Sequence, residues 1–265
     1  MDSERSNGLH RFVTRIDYEG QARVFRRART LPPDVLAAWS AVIAALAPAA
    51  APCRLVIDLG AGPGGFLAPL QDWFGPGAAV LAVEPSAAMR SEAAHAGLTR
   101  RYPYVAAWAE SLPVRTSSVD LAWLSTVIHQ FDDRVAAARE LRRVVRAGGR
   151  VLVRGFFSDV PVTGLLAHFP GIERSAATFP STDEIGSDFA AAGFGAVAAV
   201  DVIEPWRFEL DSWSARIGSL RNADSALRPL TDDEITRGIA AVRDRYATTP
   251  DRVPGDATIR LLALS

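Results

Sequence analysis

The chain has no lysine: all 29 of its basic residues are arginine. That absence excludes a Schiff-base nucleophile, a pyridoxal-phosphate anchor, a GxxxxGK[ST] phosphate loop and a low-pKa lysine base. Arginine keeps its proton at any working pH, so these side chains bind anions and do not act as bases. Cysteine is almost as scarce. Cys53 stands alone and has no intramolecular disulfide partner; its place before an apolar run predicts a small buried thiol, which fits a reducing cytoplasm. His10, His95 and His168 have no metal-ligand spacing with one another or with Cys53, so no metal site is expected. No apolar run reaches the ~18 residues of a membrane span, and the polar start MDSERSNGLHRF lacks the apolar segment of a secretory leader. Charge of one sign is also missing: 29 basic against 30 acidic residues give a net charge of -1. A concentrated basic face for nucleic acid is therefore not expected.

What is present, 265 residues with 49% hydrophobic and 22% charged, is the make-up of a globular chain; disorder and collagen-like repeats are set aside. Residues 1–50 begin polar and become amphipathic, with Leu36, Trp39, Ile43 and Leu46 at helical spacing after the Pro32-Pro33 start signal. They predict a helical N-terminal arm. Beyond it, apolar runs at 54–59, 79–84, 104–108, 119–124 and 150–156 read as strands, and helical stretches at 65–74, 86–97 and 133–146 fall between most of them. This rhythm predicts a parallel sheet covered on both faces and joined by right-handed crossovers. Residues 158–181 break it and form a lid candidate. A capped helix from Ser181, a strand at 196–203, helices at 210–221 and 231–246, and a last strand at 258–264 complete the pattern. The expected division is an arm (1–50), a core (51–203 with 257–265) and a helical insertion over the substrate (204–256).

The strongest motif is an apolar strand running through Asp58 into Gly60-Ala61-Gly62-Pro63-Gly64-Gly65. Glycines serve where backbone approaches a ligand closely and adopts positive φ. The turn by itself is ambiguous, because Gly60, Gly62 and Gly65 also satisfy the GxGxxG of a nicotinamide dinucleotide site. The second strand ends in Glu84, an acid at the carboxyl edge where a ribose diol would lie; either nucleotide suits it. The distinguishing stretches are Ala109-Glu110-Ser111-Leu112-Pro113, Ser118-Val119-Asp120-Leu121 and Glu140 through Arg146-Ala147-Gly148-Gly149.

With these in order over roughly residues 54–156, the chain resembles the class I S-adenosylmethionine-dependent methyltransferases, especially the small-molecule branch. The resemblance implies an α/β, Rossmann-like, seven-stranded, mostly parallel sheet whose last strand is antiparallel, with S-adenosyl-L-methionine as cofactor. It implies that the turn at Gly60, Gly62 and Gly64 cradles the methionyl part and that Asp58 holds its amino group. Glu84 would take the ribose hydroxyls, Pro85 and Met89 would pack near the adenine, Ala109 and Glu110 would face the ring, and Ser125 would lie beside the methionyl moiety. Two departures stand out. Trp108 occupies a position where the family often has a small or acidic residue, and Arg146-Ala147-Gly148-Gly149 stands where Lys-Pro-Gly-Gly is usual. In the arm, Arg29 is the candidate partner of the cofactor carboxylate and Tyr18 a donor or wall of the site; the alternative is an exposed charge and a packing residue.

His129, just past the fourth strand, is the candidate general base, or else it shapes the pocket or caps the next helix. A sulfonium methyl is already activated, so transfer needs mainly in-line placement and exclusion of water. The acceptor is expected to be a small apolar or aromatic molecule methylated at oxygen, nitrogen or carbon, with Phe156, Phe157, Phe169, Phe179, Trp206, Phe208 and Trp213 either lining its pocket or fastening the lid. Arg154 and Arg207 are candidates for an acidic substrate group. Arginine to the exclusion of lysine, with many alanines, suggests a high-GC bacterial genome and specialised metabolism. Two other classes share the scaffold: a protein that keeps the fold but cyclises or only binds, and a nicotinamide oxidoreductase, in which a Tyr-xxx-Lys pair has no lysine to use. Neither a membrane nor a nucleic-acid partner is expected, and monomer and homodimer both stay open.

Overall fold

The computed structural model describes residue 22, residues 31–48 and residues 52–265. Most of the arm, including Tyr18 and Arg29, lies outside the described residues. Helix α1 (Pro33–Leu46) places proline at its first turn, where a missing N–H costs nothing. Its buried stripe is Val35, Trp39 and Ile43; Leu36, expected in that stripe, turns toward the cavity described below.

Seven strands make the main sheet: β1 (Leu55–Leu59), β2 (Ala79–Val83), β3 (Tyr104–Val105), β4 (Val119–Ser125), β5 (Val145–Gly155), β6 (Ala196–Glu204) and, after a two-stranded ribbon of β7 (Arg207–Phe208) and β8 (Val253–Pro254), β9 (Ala257–Leu264). Their order is β3-β2-β1-β4-β5-β9-β6. Pairings from β3 through β5 are parallel, whereas β9 runs antiparallel to both β5 and β6. The sheet is therefore the expected one, with its final strand reversed. Because the chain winds outward from β1 to β3 and then returns to β4, the order reverses beside β1, and ligands in such sheets bind at the carboxyl edge of that switch point.

Helices α2 (Leu67–Phe74), α3 (Ala87–His95), α4 (Arg134–Val144), α5 (Ile172–Ala176), α6 (Thr182–Ala190), α7 (Leu210–Leu220) and α8 (Asp232–Arg245) cover the sheet and its carboxyl edge. Side chains cap several starts: Ser86 accepts from Met89 N, and Ser181 with Glu184 and Thr231 with Glu234 form reciprocal capping boxes. One face of the sheet packs on α4 and α6 through Leu141, Ile185 and Phe189, and the other on α1 and α2 through Trp39, Ile43 and Leu70. A third cluster joins Leu165 and Phe169 to Trp213, Ile217 and Val242, so segments 156–181 and 204–256 pack together as one cap.

Two boundaries differ from expectation. The third strand is only Tyr104–Val105; by Trp108 the chain has turned into a bridge with Ser111. The fourth helix ends at Val144, before the expected Arg146, because Val145 already pairs with Val119; the register then shifts to Leu121↔Arg150. Gly149 sits inside that shift, and a Cβ there would lie 2.9 Å from the Asp120 carbonyl oxygen. Arg146, at the usual lysine position, forms an ion pair with Asp120. Asp120 also accepts from the backbone N–H groups of Arg54 and Leu55, each at 2.8 Å, fastening the start of β1. Burial alone would raise its carboxyl, but these hydrogen bonds and Arg146 hold it below the usual carboxylate range.

Asp120→Ala leaves those two N–H groups and Arg146 without their shared acceptor. It is expected to cost about 2–4 kcal/mol in urea unfolding, and a change under about 0.5 kcal/mol, the scale of an ordinary surface substitution, would contradict this account.

Candidate active site

At the carboxyl edge of β1 the chain needs three backbone conformations that side chains disfavour: Gly60, Gly62 and Gly64 have φ of 74, 54 and 91°. Space demands glycine as well. A Cβ on Gly60 would run into the Val127 side chain, and one on Gly64 would lie 2.6 Å from the Tyr104 hydroxyl. Across the edge, Thr126 is a non-glycine residue in the left-handed region at φ 53°. Its N–H donates to Arg154 O at 2.7 Å, which locks the end of β4 to β5 and presses Val127 toward the glycine turn.

The Glu84 carboxylate braces the turn from β2. One oxygen accepts from Gly62 N–H and the other from Ser86 N–H, both at 2.8 Å. A carboxylate accepts about four hydrogen bonds, so this bracing is compatible with taking a diol. Arg90 donates to the Glu84 and Pro85 carbonyls at 2.7 and 2.8 Å and holds the following loop.

Asp58 is the anomaly of the site. It is 2% exposed, and burial, reinforced by the nearby Glu84 charge, pushes its carboxyl from 3.8 up to about 8. The same environment, first burial and then Asp58 and Glu84, pushes the Tyr104 hydroxyl up. Among the described residues, no cation pairs with this buried carboxyl.

These groups share a cavity of about 870 Å³, in the upper part of the ~300–1,000 Å³ range of small-molecule sites. Asp58, Gly60, Gly62, Gly64, Glu84, Pro85, Met89, Ala109, Glu110 and Ser125 all line it. Of the aromatics considered from sequence, Phe156, Trp206, Phe208 and Trp213 line it too, while Phe157, Phe169 and Phe179 are buried in packing clusters. His129 is not among the lining residues. Its Nε2 lies 2.9 Å from Ser225 Oγ, which also accepts from the Gln130 amide at 3.1 Å, and its ring meets Phe179 edge-on at 4.9 Å.

Arg154 reaches the cavity wall but is committed within the chain. It ion-pairs with Glu204 and donates to Ser125 Oγ at 3.0 Å. Glu204 also accepts from Trp39 Nε1 at 2.7 Å and Trp206 Nε1 at 3.0 Å. Burial raises its carboxyl, yet Arg154 and these indoles outweigh that and hold it below the usual range. Arg207 pairs with Asp256 at the exposed surface. Sequence reasoning did not single out Arg216, Gln130 or Asp224, which also line the cavity. The available signal was an arginine at helical spacing between Trp213 and Leu220.

Comparison with known proteins agrees with this geometry. A methyltransferase domain family model matches residues 57–153. A malonyl-[acyl-carrier protein] O-methyltransferase of Pseudescherichia vulneris is 36% identical over 96 residues, 36% of this chain and 36% of that protein. A demethylmenaquinone methyltransferase of Corynebacterium kroppenstedtii is 31% identical over 138 residues, 49% of this chain and 57% of that protein. The chain thus spans between about a third and three fifths of the length of these relatives. A solved structure from Anabaena variabilis, described as a methyltransferase from an antibiotic biosynthesis pathway, superposes with TM-score 0.62 at 21% identity, covering 90% of this chain and 99% of that one. Residues 57–153 are thus similar to a methyltransferase domain whose cofactor is S-adenosylmethionine, and the fold is that of solved methyltransferases.

The site residues fit that cofactor. The buried Asp58 carboxyl suits the methionyl ammonium, Glu84 suits two ribose hydroxyls, and the glycine turn has no room for a Cβ at Gly60 or Gly64. Among the described residues there is no cluster of His, Cys, Asp and Glu that could hold a metal ion, and no helix long and apolar enough to cross a membrane.

The Asp58 shift sets a pH signature. Between about 4 and 8 the folded chain keeps a proton that the unfolded chain has released, so stability falls as pH rises through that window and levels off above the folded value of about 8. Asp58→Asn removes this slope. Its stabilisation of the ligand-free protein is expected to be larger at pH 8 than at pH 5 by a few kcal/mol. Urea unfolding at the two pH values checks it, and equal effects at both would contradict the buried-carboxyl account.

Proposed function

We propose that this protein transfers the methyl group of S-adenosylmethionine to a small apolar or aromatic organic acceptor, at oxygen, nitrogen or carbon. The observation that carries this reading is one continuous cavity that joins the Asp58–Gly64–Glu84 cradle to an apolar chamber under the cap, walled by Phe156, Leu165, Trp206, Phe208 and Trp213. When bound, the cofactor supplies a sulfonium-activated methyl group. The protein's task is then placement. Asp58 holds the ammonium, Glu84 takes the ribose, Pro85 and Met89 pack the adenine beside Ala109 and Glu110, and the cap excludes water. On family resemblance, Arg29 pairs with the carboxylate and Tyr18 closes the site.

His129 serves this reading best as a latch. With its ring between Ser225 and Phe179, it docks the post-β4 loop on the cap, and the acceptor's proton leaves to a carboxylate, a tyrosine or water. An acceptor from bacterial specialised metabolism fits both the chamber and the arginine-only composition.

Isothermal titration is expected to show one S-adenosylhomocysteine bound per chain, weakened about tenfold or more in Glu84→Ala through loss of charge-assisted hydrogen bonds. Mass spectrometry of an accepted substrate should show a gain of one methylene equivalent. Absence of binding by either the cofactor or its demethylated form defeats the proposal; bound cofactor with an unchanged product mass points to rearrangement instead.

A further inference from the structure

Along the carboxyl edge of the sheet the landmarks of the cavity stand in strand order. Trp108 lies just past β3, Glu84 at the end of β2, Asp58 and the glycine turn on β1, Ser125 on β4 and Phe156 past β5. Four inter-strand spacings, roughly 19 Å, separate β3 from β5. Trp108 therefore belongs to the end of the cavity far from the chamber under the cap, on the outer side of Glu84.

Among the described residues three large apolar side chains are exposed, Trp108, Val197 and Ile203, and of these only Trp108 lines the cavity. Its contacts within the chain leave 58% of it exposed. The turn that carries it is nevertheless pinned. Trp108 pairs with Ser111 in a bridge, with Ser111 N–H donating to the Trp108 carbonyl at 3.1 Å. From α4, Glu140 accepts from Leu112 N–H at 2.7 Å, and Arg143 donates to the Leu112 and Val114 carbonyls, both at 2.9 Å. Ala109, the next residue, is buried. The indole is thus an apolar face held at the cavity rim before anything binds.

Such a face suits a flat partner. A tryptophan side chain orders through only two torsions, so a ligand that covers it gains contact area at little entropic cost. Its N–H donates and it offers no acceptor, so it cannot read an amine by its edge as an acid would. Pro85 and Met89 bring further apolar surface to the same end of the cavity. In a nucleoside the base is joined directly to the ribose, so a ribose on Glu84 brings a purine within reach of Trp108.

We propose that Trp108 is a cofactor-binding residue that stacks on the purine of S-adenosylmethionine. The chain then grips the base by an aromatic face at a position where the family often has a small or acidic residue. The proposal rests on the reading of this cavity as the S-adenosylmethionine site of a methyltransferase.

Calorimetry on the full chain tests it with S-adenosylhomocysteine and with 5′-methylthioadenosine, which keeps the base and ribose and lacks the amino-acid arm. Trp108→Ala is expected to weaken both ligands by the same factor, about tenfold or more. Trp108→Phe, which keeps an aromatic face, should stay within about threefold of the unsubstituted chain, and Trp108→Leu, apolar but without that face, should bind more weakly than Trp108→Phe. Quenching of tryptophan emission by S-adenosylhomocysteine should be largely lost in Trp108→Phe. Because the side chain is exposed, the urea midpoint of the ligand-free protein should stay in place in all three variants. Binding of either ligand within about twofold after Trp108→Ala, weakening confined to one ligand, leucine equal to phenylalanine, persistent quenching in Trp108→Phe, or a lowered ligand-free midpoint overturns the proposal and leaves the transferase reading standing. Absence of S-adenosylhomocysteine binding by the unsubstituted chain defeats that reading, and this proposal with it.

Discussion

The buried pair of Arg154 and Glu204 is the interaction on which the two halves of the site depend. Both residues sit at carboxyl ends of strands, β5 and β6, at 6% and 2% exposure, where a lone charge could not persist. Their attraction is supplemented until the donors and acceptors are matched: two indole N–H groups reach Glu204, the Ser125 hydroxyl takes an Arg154 donor, and the guanidinium lies 5.1 Å from Trp39 and 5.4 Å from Phe66 ring centroids. Removing one partner of such a pair typically costs about 3–5 kcal/mol, whereas an apolar replacement of both is often neutral. Its value therefore lies in geometry more than stability. It joins α1, the glycine-turn side of the cavity and the first aromatic of the cap into one arrangement.

Asp58 expresses the opposite principle. Where Glu204 is satisfied by the protein, Asp58 is buried with its charge opposed by its surroundings, and the nearby Glu84 makes ionisation harder still. A site proposed to receive a cation gains by this arrangement, because such a ligand would relieve a tension already present in the folded chain. Stability is lower in the empty protein for the same reason that binding is favoured. The backbone shows a similar concession at Thr126, whose left-handed conformation is tolerated in the wall of the cavity.

Methyl transfer, the proposed activity, asks little acid–base chemistry of a protein, and the character of the cavity suits it. Its cofactor end is built from backbone turns and two carboxylates held at strand ends. The end under the cap, the proposed acceptor chamber, is built from apolar and aromatic side chains on a cap with a core of its own. The docking of that cap through Ser225 onto His129 and Gln130 gives a histidine near the site a mechanical role.

The sheet, its order of elements and most of the cofactor side were readable in the chain itself. Strand β1 running into Gly60–Gly65, Glu84 closing β2 and the run from Ala109 to Gly149 are local signals, because backbone φ, strand periodicity and end-of-strand placement are set by residues adjacent in sequence. Tertiary structure decided what depended on distant partners. His129 faces Ser225, 96 residues later, Arg154 is taken up by Glu204, 50 residues away, and four aromatics are separated from three others only by how the cap folds. The third strand shortened and the fifth began early because pairing across the sheet overrode local propensity. Arg216 drew no notice from sequence, since an arginine on an amphipathic helix is ordinarily surface charge; only the packing of α7 against Trp206 and Phe208 brings it to the cavity. Short-range conformational rules thus shaped the glycine-turn end of the cavity, while long-range packing and charge pairing shaped the chamber under the cap.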